Sequence, residues 1–136
     1  ERIIQVGQRG IGSARPEDQA AALAAGVQFV PAREVASAGI GRALSLIPDG
    51  AQVVICLDVD AFDPAVMPAV IGRTAGGLGY WQVFELIAGV AAKARIAAFD
   101  MVEFMPARDM DGQGALVAAQ LLAGVIGMVA EQAGKA

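Results

Sequence analysis

Apolar residues along the chain follow two alternating patterns. Short unbroken apolar runs give way to longer stretches in which apolar positions recur every three or four residues. Residues 2–6 read as a short buried strand, and residues 8–14 as a glycine-rich loop. Pro16 stands where a first helical residue belongs, with Glu17 and Asp18 in the first turn. The alanine-rich run 19–25 continues that helix until Gly26 stops it. Residues 27–30 form a second short strand. Residues 33–47 predict one helix, weakened by Gly39 and Gly41 and closed by the turn at Pro48, Asp49 and Gly50.

The strongest strand signal is 53–57, apolar on both faces as a central strand of a parallel sheet should be. A long Pro/Gly-rich loop follows, 60–79. A helix over 80–94 carries Val83, Leu86, Ile87, Val90, Ala91 and Ala94 on one face. Residues 95–99 form another strand, and 101–112 a loop. The last helix, ending near Gln132, is apolar nearly all round and is expected to be covered on most sides. Strand and helix alternating in this way predict an α/β fold, a three-layer α/β/α arrangement with a mostly parallel sheet and right-handed crossovers. The pattern has no internal repeat and no domain boundary, so residues 1–136 read as one domain. Functional residues in such sheets gather outside the carboxyl ends of the strands.

Composition narrows the function. The 136 residues are 56% hydrophobic and 18% charged, which excludes intrinsic disorder. A net charge of −4 argues against nucleic acid or an anionic membrane surface as partner. The apolar run 114–130, broken by Gln120, is of borderline length for a bilayer. It lacks a basic N-terminal flank and an aromatic belt, and so reads as a buried core helix. One Cys excludes an internal disulfide and makes the reducing cytoplasm the expected compartment. With no His, the chain supplies no imidazole ligand or base. It opens on Glu1 and runs at once into a strand with no visible signal peptide, so it reads as part of a longer polypeptide.

Two strand ends carry acids. Asp58 and Asp60 follow five apolar residues. Two apart in a strand, they would point to the same side with Cα atoms about 6–7 Å apart. Their repulsion is about 3 kcal/mol at an effective dielectric near 20. An unpaired carboxylate in dry surroundings is strongly disfavoured. A cation between the two removes both costs, and hard oxygen ligands suit Mg²⁺ or Mn²⁺. The alternative is turn capping before Pro64, which suits Asp63. It suits Asp58 poorly, because a residue inside the end of an apolar strand should have no local turn to serve. Known motifs fit badly. A calcium-binding EF-hand loop would want Gly where Asp63 stands and Glu where Ala69 stands. An aspartyl-phosphate phosphatase would want Thr or Val at Phe62. Gly7, Gly10 and Gly12 are in the wrong order for a dinucleotide loop, and no Lys follows for a P-loop. At the second strand end, Asp100 is followed by Glu103, which has apolar neighbours on both sides. A solvated loop acid is the usual reading of such a Glu. A carboxylate in these surroundings would also suit a planar guanidinium.

Taken together, Asp58-Val-Asp60-Ala-Phe-Asp63-Pro64, Pro68 and Gly76-Gly77-Leu78 resemble the second metal signature of the ureohydrolases, the family of arginase and agmatinase. Phe99-Asp-Met-Val-Glu103-Phe-Met-Pro106 resembles the family's later strand, whose Glu meets the substrate's guanidinium. Asp109 and the helix after it are similar to agmatinase-like members. The likeness covers nearly the whole chain but only the C-terminal half of the family fold.

The resemblance implies a binuclear Mn²⁺ enzyme that hydrolyses a guanidino compound, agmatine-like or arginine-like, to urea and an amine. Asp58 would bridge both metals, Asp60 would bind one, and Glu103 would orient the guanidinium for a hydroxide held between the metals. It also implies a homo-oligomer, trimer or hexamer. The family's remaining ligands come from earlier Asp-Ala-His-x-Asp and Gly-Gly-Asp-His segments that this sequence lacks. Two carboxylates cannot fix a metal pair, so the chain alone is expected to be inactive. Cys56 stands for the family's Ser, residues 70–74 for its Thr-Gly-Thr-Pro stretch, and Gly114 for a frequent Thr. The alternatives are a ureohydrolase-fold protein with altered activity, a half-domain needing a partner chain, and a Mg²⁺-dependent phosphate-transfer enzyme. Bare sheet edges left by missing strands predict self-association or a complementing segment.

Overall fold

The computed structural model describes residues 2–10 and 14–134. The first unit is a strand β1 (Ile4–Val6), a helix α1 (Pro16–Ala24) and a strand β2 (Gln28–Val30), with β1 and β2 parallel. Gly26, at φ 83°, ends α1 as expected. Its N–H reaches the Leu23 carbonyl at 2.9 Å, and the next N–H, of Val27, reaches Ala22 at 3.0 Å. This paired arrangement satisfies the helix's last carbonyls.

The single helix expected over 33–47 is two helices, α2 (Ala32–Ala38) and α3 (Gly41–Ser45). Gly39 causes the break. At φ 77° and ψ −169° it leaves the helical path directly after its N–H has bonded to Val35. Strand β3 (Gln52–Asp58) then leads through a 3₁₀ turn (Val59–Ala61) and a long loop to helix α4 (Tyr80–Lys93). Strand β4 (Arg95–Val102) runs parallel to β3, and helix α5 (Gln113–Ala133) ends the described chain.

The fold is α/β, and among the described residues the strand ladders are parallel, in two separate pairs, β1–β2 and β3–β4. An apolar cavity of about 180 Å³ is lined by Ile4 and Val6 from β1 and by Ile55 and Leu57 from β3. The two pairs thus approach one another without exchanging ladder hydrogen bonds, and each keeps unpaired edges.

The core lies on one face of β3–β4. Helix α4 buries Val83, Ile87 and Val90, and α5 buries Ala118, Leu121 and Val125. Each large apolar side chain removed from water here contributes about 1.5–3 kcal/mol. Gln132 joins three elements: its Nε2 donates to Ala91 and Ala94 at the end of α4, and its Oε1 accepts from Ile96 in β4. The opposite face of the sheet is bare. The cross-strand pairs Val54 with Ala98, Cys56 with Asp100 and Asp58 with Val102 are all exposed, Val54 by 68%. The expectation that 53–57 is covered on both faces therefore fails. Helix α5 also departs from its expected cover: Leu116 is 59% and Ile126 68% exposed. Its composition is apolar enough to cross a membrane, but only one of its sides packs against the rest of the chain.

Candidate metal and substrate site

Parallel pairing brings the carboxyl ends of β3 and β4 to the same edge. Asp58 pairs in register with Val102, which places Glu103 one residue beyond. Asp58 is exposed, and its carboxylate accepts the Asp60 N–H at 2.8 Å, capping the 3₁₀ turn. This corrects two premises. Asp58 does serve a local turn, and the dry member of the acid pair is Asp60. The chain leaves strand geometry after Asp58, so Asp60 sits in the turn and not on the strand.

Asp60 Oδ1 is buried and has no hydrogen-bond partner among the described residues. The other oxygen, Oδ2, faces Gly72, whose amide bonds to the carboxylate and where a Cβ would come within 2.9 Å. Burial raises the Asp60 carboxyl above its ordinary value, and the charges of Asp58 and Glu103 push it further. The Gly72 amide and the Arg9 charge oppose them. One carboxylate oxygen is thus oriented by a backbone amide, and the other is a desolvated lone-pair donor without a proton donor or cation. That is the chemistry a hard divalent cation would satisfy. Among the described residues, however, no three His, Cys, Asp or Glu side chains converge closely enough to hold a metal by themselves.

Asp63 belongs to the scaffold, as its place before Pro64 suggested. Its Oδ1 accepts from Ala65 N at 3.0 Å, and its Oδ2 from Gly76 N and Gly77 N at 2.9 and 3.2 Å. These amide donations, Ala65 first, hold its carboxyl below the ordinary value against partial burial. The return of the loop is as close as backbone allows. A Cβ on Gly77 would lie 2.4 Å from both Asp63 N and Phe62 C. Gly77 is therefore a steric requirement of the hydrogen bonds Asp63 N to Leu78 O and Leu78 N to Ala61 O, while Gly76 beside it is required by its φ of 77°.

Glu103 is exposed, with φ at 64°. A non-glycine residue in the left-handed region is strained, and such strain concentrates at functional positions. Cys56 and Asp100 are cross-strand partners on the bare sheet face. A hydrogen bond to Asp100 holds the thiol above its ordinary value, with burial and the charges of Asp100 and Asp58 adding to it. Asp109 caps the start of α5, its Oδ1 accepting from Met110 N and Gly114 N and its Oδ2 from Ala115 N. Gly114 has no room for the family's frequent Thr: a Cβ would meet Ala69 Cβ at 2.7 Å and Asp109 Oδ1 at 2.9 Å.

The sequence around Arg9 reads as a flexible glycine loop, which gives the residue no visible role. Gly12 of that loop lies outside the described residues. Gly7 is buried, and a Cβ there would meet Leu78 Cδ1 at 3.2 Å. From the end of β1, Arg9 Nη2 donates to the carbonyls of Asp60, Phe62 and Thr74 at 2.8, 2.9 and 2.7 Å.

Comparison with known proteins extends this picture. The sequence model described as Arginase family matches residues 1–127. The chain is 31% identical over 130 residues to an agmatinase of Pyrococcus horikoshii, covering 96% of this chain and 45% of that protein. It is 33% identical over 132 residues to an N(1)-aminopropylagmatine ureohydrolase of Thermus thermophilus, covering 97% and 43%. Among solved structures, the agmatine ureohydrolase of Thermoplasma volcanium superposes with a TM-score of 0.79 at 28% identity, covering 98% of this chain and 44% of that one. The proclavaminate amidino hydrolase of Streptomyces clavuligerus gives 0.82 at 28% identity, covering 93% and 42%. The chain spans less than half the length of these relatives.

Proposed function

The chain belongs to the arginase family, and on that premise we propose that it is the C-terminal part of a metal-dependent amidinohydrolase, releasing urea and an amine from a guanidino compound of agmatine-like or arginine-like kind. The observation that carries this reading is the buried, partnerless Oδ1 of Asp60 in a corner shared with Asp58 and Glu103. Asp58 and Asp60 would hold the metal, Mn²⁺ by family, with further ligands from segments outside this sequence. When bound, a manganese pair supplies a water of lowered pKa and compensates the charge of the acid cluster.

The chain's own residues do the rest. Asp58 fixes the turn through the Asp60 N–H, so that the first acid sets the direction of the second. The Gly72 amide holds one oxygen of Asp60 and leaves the other free. Glu103 offers two carboxylate oxygens to the N–H groups of a guanidinium, a pairing that is planar and charge-assisted. Because a third ligand is missing among the described residues, the chain alone is inactive and the site is completed by the rest of the protein. The assembly is a cytoplasmic homo-oligomer, trimeric or hexameric.

The test is urea release by full-length protein from agmatine, arginine and related guanidino compounds, with Mn²⁺ and after EDTA. Activity should require Mn²⁺, and Asp58→Asn should abolish it. Urea production that survives both EDTA and Asp58→Asn refutes the reading.

A further inference from the structure

We propose that Arg9 is the positioning residue of Asp60: its guanidinium ties both ends of the 60–74 loop together and thereby sets the metal-facing pose of that carboxylate. The inference rests on the metal reading of Asp60 given above. Its evidence is a single planar group with an unusual set of acceptors. Nη2 lies 2.8 Å from Asp60 O, 2.9 Å from Phe62 O and 2.7 Å from Thr74 O. Nε lies 3.1 Å from the same Thr74 O, and Nη1 3.5 Å from Gly7 O.

These acceptors come from separate parts of the chain. Asp60 and Phe62 lie where the loop leaves the 3₁₀ turn. Thr74 lies near its return, two residues after Gly72, whose amide bonds to the Asp60 carboxylate. Arg9 itself follows β1, which belongs to the other strand pair. Asp60 and Gly72 are thus held at their working separation through the carbonyls beside them, by a donor from a third segment. The five N–H donors of arginine in a rigid fork make this possible. A lysine ammonium at the same place is a flexible point charge and cannot reproduce the fork. All the acceptors named above are neutral carbonyls. The guanidinium charge lies close enough to Asp60 and Asp63 to favour their ionised forms.

The experiment compares full-length wild-type protein with Arg9→Met and Arg9→Lys. Mn²⁺ affinity is measured by calorimetric titration, and backbone hydrogen–deuterium exchange is followed without metal. Loss of a residue that orients a ligand weakens metal binding by about 10- to 100-fold. Arg9→Met should show that loss, and Arg9→Lys a smaller one. In the metal-free Arg9→Met protein, amides of residues 60–76 should exchange faster while those of α4 and α5 keep wild-type rates. A folded Arg9→Met that binds Mn²⁺ as the wild type does overturns the role given to Arg9, as does one with unchanged exchange at 60–76. If Arg9→Met fails to fold, an Arg9→Lys protein with wild-type affinity and exchange overturns it equally. Wild-type protein that binds no Mn²⁺ overturns the underlying metal reading instead, so the two failures are distinct.

Discussion

Gly77→Ala adds one methyl group where the loop's return strand meets its outgoing one. The new Cβ would sit 2.4 Å from Asp63 N and Phe62 C and 2.5 Å from Phe62 O. Ordinary carbon contacts are about 3.5–4.0 Å, so the two segments must part by about 1 Å. The obstructing atoms are all backbone, so no side-chain rotation relieves the overlap. Gly77 has no positive φ to penalise alanine, which makes the effect purely one of space. Parting the segments breaks the hydrogen bonds Asp63 N to Leu78 O and Leu78 N to Ala61 O, both 2.9 Å. Each contributes about 0.5–1.5 kcal/mol net, and the residual overlap strain adds about 1–3 kcal/mol. The expected loss is about 2–6 kcal/mol in urea denaturation of metal-free full-length protein. Gly127→Ala is the control. It lies inside α5 with nothing within 4 Å of its Cβ, and should gain up to about 1 kcal/mol from helix propensity. A Gly77→Ala protein within about 0.5 kcal/mol of wild type would refute the steric account of Gly77, since that is the range of an unremarkable surface change.

Three further outcomes follow from the same geometry. Glu103→Gly should stabilise the metal-free protein by about 1 kcal/mol by relieving the left-handed strain at φ 64°, while raising KM for the guanidino substrate; steady-state kinetics beside thermal melts would show both. Asp109→Ala should lower the melting temperature and speed amide exchange in the first turn of α5, because the Gly114 and Ala115 amides lose their acceptor. The acid response should have two signs. Asp63 and Asp109 titrate below the ordinary 3.8 in the folded state, so their stabilisation is present at neutral pH and fades as pH falls through their lowered values. Asp60 titrates above 3.8, so its charged form costs stability at neutral pH. Asp60→Asn should then stabilise the metal-free protein most at neutral pH, with the gain shrinking as pH drops towards 3.8 in denaturation series.

The sequence made the local elements legible because their signals are local. Gly26 after an alanine run, Pro16 before one, and the one-sided apolar face of α4 each act within a few residues, and those elements lie where the pattern puts them. Asp63 before Pro64 was equally readable, since turn chemistry is encoded by neighbours. What stayed hidden depends on distant parts of the chain. That Asp58 caps a local turn stayed hidden because the apolar run before it says nothing of the 3₁₀ turn that begins after it. The exposure of Val54 and Ile126 could not be read, because apolar composition predicts burial but not which segment provides the cover. Arg9 carried one available signal, a cation just past a strand end in an acidic chain, but the acceptors of its Nη2 lie 51 to 65 residues away.

The account stands on the lone-pair donor that the fold leaves buried at Asp60. Calorimetric titration of Mn²⁺ into full-length protein and its Asp60→Asn variant tests it most directly, since the substitution keeps the side chain's shape and removes its charge. Binding by the wild type and its loss in Asp60→Asn, with the variant folded and at least as stable without metal, is the predicted result. Equal Mn²⁺ affinity in the two proteins would contradict it.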